Sequence, residues 1–193
     1  MKDQRPPLAW PDLVILDRDG VINHDSKHYI KSADEWQPIA GSLEAITALS
    51  NAGVKVGIAT NQRGISLGLY GYPELEAMHA KMAALLATLG GSVDAIEFCI
   101  ADDEAHPDRK PNPGMLFKIM TALQMPENAV IYFVGDKSSD VMAANNAGVI
   151  PILVRSGNGA DTETKRLIRK IMPAWGIIRC SRLILRMATL SDS

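Results

Sequence analysis

The stretch Leu13-Val14-Ile15-Leu16-Asp17-Arg18-Asp19-Gly20 decides the fold. Four apolar residues in a short run, ended by polar ones, read as a strand buried on both faces, the kind a parallel sheet contains. Two carboxylates and a glycine follow at once and so occupy the strand's C-terminal tip, the edge at which open α/β sheets bind ligands. Side-chain alternation would put Asp17 and Asp19 on one face, although the turn into Gly20 bends that picture. Carboxylates this close repel unless a cation sits between them or one keeps its proton. An Asp-x-Asp standing alone is equally a strand end that runs into a charged turn, so the rest of the chain has to decide.

Outward from this strand, strands and helices alternate. The segment 23–36 is a polar loop, and Gly41 to Ala52 is a helix stopped by Gly53. Val54 to Ala59 is a second strand, ending at Thr60-Asn61-Gln62. Pro73 to Leu89 is a long helix with proline in its first turn and Gly90-Gly91 at its end. Ala95 to Ile100 is a strand, and Pro113 to Leu123 is a helix for which Asn112 is the expected N-cap. Val130 to Val134 is a strand leading into Gly135-Asp136-Lys137, Ser139 to Ala147 a helix, and Ile150 to Val154 a fifth strand. This alternation predicts an α/β fold with a doubly wound, Rossmann-like parallel sheet.

Composition bounds the rest. The 193 residues, 47% hydrophobic and 22% charged, suffice for one domain with a good core. No apolar run is long enough to span a membrane, the first residues are polar, and Cys99 and Cys180 make no disulfide framework, so a cytoplasmic enzyme is expected. Charge divides the chain into a body, 1–163, and a tail, 164–193. The tail holds seven Lys or Arg against Asp192, a net +6, which leaves −8 on the body out of a total of −2. An acidic body argues against nucleic-acid binding. Ile168, Ile171 and Met172 among Lys165, Arg169 and Lys170 give a basic amphipathic helix before Pro173. It is expected to pack as a last helix, with a membrane-surface or partner-binding role as the alternative.

The strand tips collect chemistry: Asp17 and Asp19, then Thr60 and Asn61, then Asp136 with Asp140 beyond, and Arg109 and Lys110 between the third strand and its helix. Three acids at one sheet edge suit a hard cation, and Mg²⁺ is the one that keeps waters and a substrate phosphate. A hydroxyl, amides, Arg and Lys match the other oxygens of a phosphate. Without a P-loop in the sequence, a carboxylate nucleophile for phosphoryl transfer needs fewest assumptions. Each residue has a plainer reading. Thr60 fits a strand, Arg109-Lys110 a solvated basic pair, Asp140 a first helical turn, and Asp25 and Tyr29 an ordinary loop.

Asp17-Arg18-Asp19-Gly20, the strand ending in Thr60, Lys110 before Pro111, and Gly135-Asp136-Lys137-Ser138-Ser139-Asp140 resemble the four motifs of the haloacid dehalogenase (HAD) superfamily, in order, over residues 13–155. Asp-Arg-Asp-Gly-Val-Ile-Asn, Ala-Thr-Asn-Gln-x-Gly-Ile, Arg-Lys-Pro-x-Pro-Gly-Met and Val-Gly-Asp-Lys are similar to the D-glycero-D-manno-heptose 1,7-bisphosphate 7-phosphatase group, which shares its pattern with histidinol-phosphate phosphatases. The resemblance implies that Asp17 attacks phosphorus to form an aspartyl-phosphate, while Asp19 protonates the leaving alkoxide and later deprotonates water. It implies Mg²⁺ on Asp17, the Asp19 carbonyl and Asp136, and Thr60 and Lys110 on the phosphoryl group. Asp25, Tyr29, Asn61, Arg109 and Lys137 become candidates for the sugar, and Asp140 for support of the metal or Lys110.

No stretch is long enough for a cap domain, so a capless core, acting as a monomer on a small phosphorylated metabolite, is expected. The resemblance departs at Cys99-Ile100-Ala101 and His106-Pro107-Asp108, where the heptose phosphatases commonly bind zinc. Cys99, His106 and Asp108 offer three ligands at most and a structural zinc takes four, so no zinc is expected. Arg63 is bulky where the group tends to carry a small residue. Histidinol phosphate is the alternative substrate, and a non-catalytic HAD-like scaffold that binds a phosphorylated ligand is the alternative of another class.

Overall fold

The computed structural model describes residues 9–164; the expected basic helix and all else of the tail beyond Thr164 lie outside the described residues. Strand β1 (Leu13–Leu16) has every residue buried and pairs in parallel with β2 (Lys55–Asn61) on one side and β4 (Ile131–Gly135) on the other. Coverage on both faces is why its sequence is a continuous apolar run. Strands β3 (Ala95–Cys99) and β5 (Ile150–Leu153) complete a five-stranded parallel sheet in the order β3-β2-β1-β4-β5. The chain therefore builds outward from β1 first one way and then the other, with the switch point between the C-terminal ends of β1 and β4.

Helices cover both faces. Val14 and Leu16 of β1, with Val56, Ile58 and Val134, pack against α1 (Ser42–Asn51) and α2 (Tyr72–Thr88) through Ile46, Leu49, Leu75, Met78 and Met82. The alternate residues Leu13 and Ile15, with Ala59 and Phe133, pack against α3 (Gly114–Ala122) and α4 (Ser138–Ala147) through Met115, Leu116, Ile119, Ala143 and Ala144. Each of these large apolar side chains contributes roughly 1.5–3 kcal/mol by leaving water.

The elements expected within the described residues are all present, their ends displaced by no more than two residues. Asn112 is not the N-cap of α3: Pro113 occupies that position, and the Asn112 side chain donates instead to the carbonyls of Glu104 (3.0 Å) and His106 (2.9 Å). A short helix, α5 (Gly159–Thr164), was not expected. Between β1 and α1 there are only turns and two isolated bridges, Asp19 with Asn23 and Asn23 with Pro38. The link from β2 to α2 is a run of turns, so the described residues form a core without a cap. No helix among them is long and apolar enough to cross a membrane.

Candidate active site

The switch point gathers the charged groups. Asp17 leaves β1 buried, and its two contacts among the described residues both fall on Oδ1, from the Arg18 N–H at 2.8 Å and Lys110 Nζ at 2.8 Å. Lys110 arrives from the loop between β3 and α3. Its ammonium also lies 2.7 Å from Asp140 Oδ1 and donates to the Ala59 carbonyl at 2.9 Å. Asn61 latches the end of β2 to this loop. Its Oδ1 accepts the Lys110 N–H at 3.1 Å and its Nδ2 donates to the Lys110 carbonyl at 3.2 Å. Burial disfavours the charge on Lys110, but Asp140 and Asp17 outweigh it and push its pKa up, so it stays an ammonium.

Asp136, at the tip of β4, is fully buried. Its Oδ2 accepts from the Asn158 N–H at 2.7 Å and from Asn158 Nδ2 at 3.1 Å. Its Oδ1 has no hydrogen-bond partner, the nearest ammonium being Lys137 Nζ at 4.0 Å. Gly20 makes this packing possible. It sits at φ +91°, and a Cβ there would lie 2.3 Å from Asp136 Oδ2. Asp140, in the first turn of α4, caps that helix by accepting the Lys137 N–H on Oδ2 at 2.9 Å. One carboxylate oxygen from each of Asp17, Asp136 and Asp140 falls within 4.8 Å of the others.

Burial raises the pKa of Asp136, and it raises Asp17 to about 7 against the opposing pull of Lys110. Three buried acids face the buried Lys110 ammonium, with Lys137 only at 4.0 Å from Asp136 and shared with Asp25, so they are under-neutralised, and the orphaned Asp136 Oδ1 marks where positive charge is short. This is the all-oxygen donor set that fits Mg²⁺.

Asp19 has a separate setting. Its carboxylate accepts from Arg18 Nη2 at 3.0 Å, Asn23 Nδ2 at 2.8 Å and Gln62 Nε2 at 3.0 Å. Burial opposes its ionisation, but the Arg18 guanidinium and the Asn23 and Gln62 amides prevail and hold its carboxyl below the usual range. Arg18, which reads in sequence as one more charge at the tip, is almost wholly buried and divided between this carboxylate and the Gln62 amide oxygen.

An open polar cleft lies over these groups, with Asp17, Asp19, Thr60, Asn61, Lys110, Lys137, Ser139 and Asp140 on its wall and Asp136 buried behind it. All four expected catalytic residues are therefore brought together. Of the expected sugar contacts, Asn61 and Lys137 line the cleft, and Asp25 stands beside it, bound to Lys137 Nζ (3.1 Å) and Asn158 Nδ2 (3.0 Å). Burial opposes the charge on Lys137, but Asp17, Asp136 and Asp25 raise its pKa. Tyr29, at φ +64°, and Arg109, which donates to the Ala101 carbonyl at 2.7 Å, are not on the wall. Cys99 Sγ and His106 Nδ1 are 3.7 Å apart, while Asp108 pairs with Lys118. Arg63 pairs with Asp102 at the surface.

Sequence reading missed Gln62, Ser139 and Asn158. Gln62 carried a signal, since it stands two residues beyond Thr60 at the same strand tip. Asn158 carried none, lying 22 residues beyond Asp136 in sequence, where only the return of the chain after β5 brings it back.

Comparison with known proteins decides the family. The D-glycero-beta-D-manno-heptose-1,7-bisphosphate 7-phosphatase of Pseudomonas putida is 50% identical over 154 residues, covering 79% of this chain and 87% of that protein. The chain belongs to this phosphatase family. The HAD-hydrolase-like pattern also matches residues 108–177. Among solved structures, the heptose bisphosphate phosphatase of Bordetella bronchiseptica, complexed with magnesium and phosphate, superposes with a TM-score of 0.82 at 37% identity, covering 94% of this chain and 99% of that one. The Burkholderia thailandensis member gives a TM-score of 0.62 at 34% identity, covering 90% and 96%. This chain is thus a HAD-type phosphatase.

Proposed function

We propose that this phosphatase removes the 7-phosphate of D-glycero-D-manno-heptose 1,7-bisphosphate through an aspartyl-phosphate on Asp17. The observation that carries this is the pairing of Asp17 and Asp140 across Lys110 beside Asp136, with Asp19 on the same cleft wall. It is supported by the 50% identity to a relative named for that reaction. Asp17 Oδ2, which the Arg18 and Lys110 contacts leave unused, forms the bond to phosphorus as the bond to the sugar oxygen breaks. The negative charge of a bound phosphate raises the Asp19 pKa against the donors that favour its carboxylate, and the protonated carboxyl delivers its proton to the departing oxygen. In the second half it takes a proton from the water that cleaves the acyl phosphate, which returns both carboxyls to their starting states. Lys110 and Thr60 hold phosphoryl oxygens as charge moves onto them.

Asp17, Asp136 and the carbonyl of Asp19 would hold Mg²⁺, with Asp140 supporting Lys110 and facing the same centre. When bound, the ion neutralises the facing carboxylates and phosphoryl oxygens, so that the nucleophile is ionised as it meets an anionic substrate. The charged wall of the cleft suits a phosphoryl group, and the body of the substrate rests against the loops bearing Asp25, Tyr29, Asn61, Arg109 and Lys137. In this reading residues 1–163 are the catalytic core, 164–193 an appended basic tail, and the enzyme works as a cytoplasmic monomer.

The test is phosphate release with Mg²⁺ from heptose 1,7-bisphosphate, histidinol phosphate, fructose 1,6-bisphosphate and p-nitrophenyl phosphate, for wild type and Asp17→Asn. Turnover of the heptose substrate above the others, abolished by the substitution, supports the proposal. Preference for histidinol phosphate, or turnover that survives in Asp17→Asn, overturns it.

A further inference from the structure

Gln62 is almost fully buried, yet all four hydrogen-bonding positions of its amide are filled. Its Oε1 accepts from Arg18 Nη2 at 3.0 Å and from the Tyr70 hydroxyl at 2.6 Å. Its Nε2 donates to Asp19 Oδ2 at 3.0 Å and to Thr60 Oγ1 at 2.8 Å. Arg18 can only donate, so the amide has one possible orientation, with its NH₂ toward Asp19 and Thr60. This has a consequence for each of them. Asp19 is gripped on Oδ1 by Asn23 and on Oδ2 by Gln62, with Arg18 bridging the two oxygens. Thr60 Oγ1 is committed as an acceptor, so its own hydrogen is left to point elsewhere, and Thr60 lines the cleft.

We propose that Gln62 is a positioning residue that orients the proton-transferring carboxylate and the phosphoryl-binding hydroxyl together, with Tyr70 and Arg18 setting the direction of its amide. The assignment rests on the roles proposed above for Asp19 and Thr60. It also accounts for a glycine two residues on. The Tyr70 ring lies against Gly64, where a Cβ would come 2.3 Å from the ring edge, so only glycine lets the tyrosine reach the amide. The residues Thr60, Gln62, Gly64 and Tyr70 thus form one device at the end of β2. The reacting atoms touch only the first of them.

The test reads leaving-group dependence. A sugar alkoxide must receive a proton as it departs, whereas p-nitrophenolate leaves without one. With enzyme in excess, release of the sugar from heptose bisphosphate and of nitrophenol from p-nitrophenyl phosphate is timed for wild type, Gln62→Met, Tyr70→Phe and Asp19→Asn. Gln62→Met is expected to slow sugar release by about 10²-fold, the lower end of what positioned acid–base groups supply, and nitrophenol release by much less. Tyr70→Phe, which deletes one hydroxyl and keeps the ring, is expected to act in the same direction more weakly, and it serves if Gln62→Met does not fold. Equal slowing of both substrates overturns the part of the proposal that concerns Asp19, since Thr60 serves both, and no slowing of sugar release in either variant while Asp19→Asn is impaired overturns the role of Gln62 as a whole. Wild-type sugar release by Asp19→Asn overturns the reading of Asp19 itself.

Discussion

Replacing Lys110 with methionine isolates the electrostatics of the site. The substitution keeps an unbranched stem close to the Phe133 ring, over which Nζ sits 5.4 Å from the centroid, and removes the charge. That charge is buried and faces Asp17 at 2.8 Å and Asp140 at 2.7 Å. Breaking a buried ion pair leaves uncompensated charge behind and costs about 3–5 kcal/mol. Here two carboxylates lose the same counter-ion, so the upper part of that range is expected in chelator. The stranded acids bind protons more tightly when folded than when unfolded. The deficit therefore grows as pH rises above the ordinary carboxylate range and shrinks as pH falls through it.

Added Mg²⁺ should behave in the opposite way from turnover. With the competing ammonium gone, the acidic cluster should bind the ion about tenfold more tightly or better, about 1.4 kcal/mol, and recover part of the lost stability. Phosphate release should nevertheless be lost. Urea unfolding in chelator and in Mg²⁺, with calorimetric titration of the ion, gives all three quantities. A loss under about 1 kcal/mol, or weaker Mg²⁺ binding by Lys110→Met, would falsify the view that Lys110 is the counter-ion of this cluster.

Other perturbations follow from the same geometry. Gly20→Ala drives a methyl group into Asp136 at a positive φ; strain of about 1–3 kcal/mol and loss of Mg²⁺ binding should appear together in thermal melts with and without the ion. Burial lowers the pKa of His79 from 6.5 to about 4 in the folded protein, so the unfolded chain takes up a proton that the folded one refuses. Stability should therefore fall as pH drops from about 6.5 through about 4, with a slope under about 1.4 kcal/mol per pH unit because the ring is only partly buried; His79→Gln should flatten that limb of a denaturation series. Asn61→Ala removes both bonds to the Lys110 backbone, and should cost about 1–3 kcal/mol by chemical denaturation together with a rise in KM as the Lys110 loop loosens. Metal analysis of protein purified without chelator should find no stoichiometric zinc, and one tightly held zinc per chain would restore Cys99, His106 and Asp108 as ligands.

The sheet was legible because each strand is a short apolar run punctuated by glycine, proline or a polar tip, and β1 carried the two acids that marked the ligand edge. Asp17, Thr60 and Asp136 were legible for the same reason: a strand tip fixes where its next residue goes. What sequence did not display is how the groups divide their partners. Asp140 reads both as a first-turn acid and, through the resemblance, as a support for the metal or Lys110, and the folding of α4 back onto β4 sets its Oδ1 against Lys110. Arg18 and Asn158 look like loop polarity, yet Arg18 holds Asp19 and the Gln62 amide, and Asn158 holds Asp136 and Asp25. Asn112 misled because asparagine before a helix is a common cap, whereas here a proline holds that position and the loop carbonyls of Glu104 and His106 take the amide.

The placement of β3 and β5 at the two margins of the sheet bears on how the protein breathes. Amides of the inner strands exchange with solvent only when the whole domain opens, while those at a margin exchange through smaller, cheaper openings. Asp17, Thr60 and Asp136 hang from β1, β2 and β4, the three inner strands. The loops after β3 and β5 hang from the margins, and they carry Lys110 beside Arg109, and Asn158, which holds Asp136. The nucleophile and the metal-facing carboxylates thus sit on the slowest-opening part of the sheet, whereas Lys110 reaches them from a margin and is kept in place by latches of its own, the Asn61 amide and the Asp17 and Asp140 carboxylates. A change that loosens the β3 margin should therefore be felt at the phosphoryl-holding ammonium before it is felt at the nucleophile.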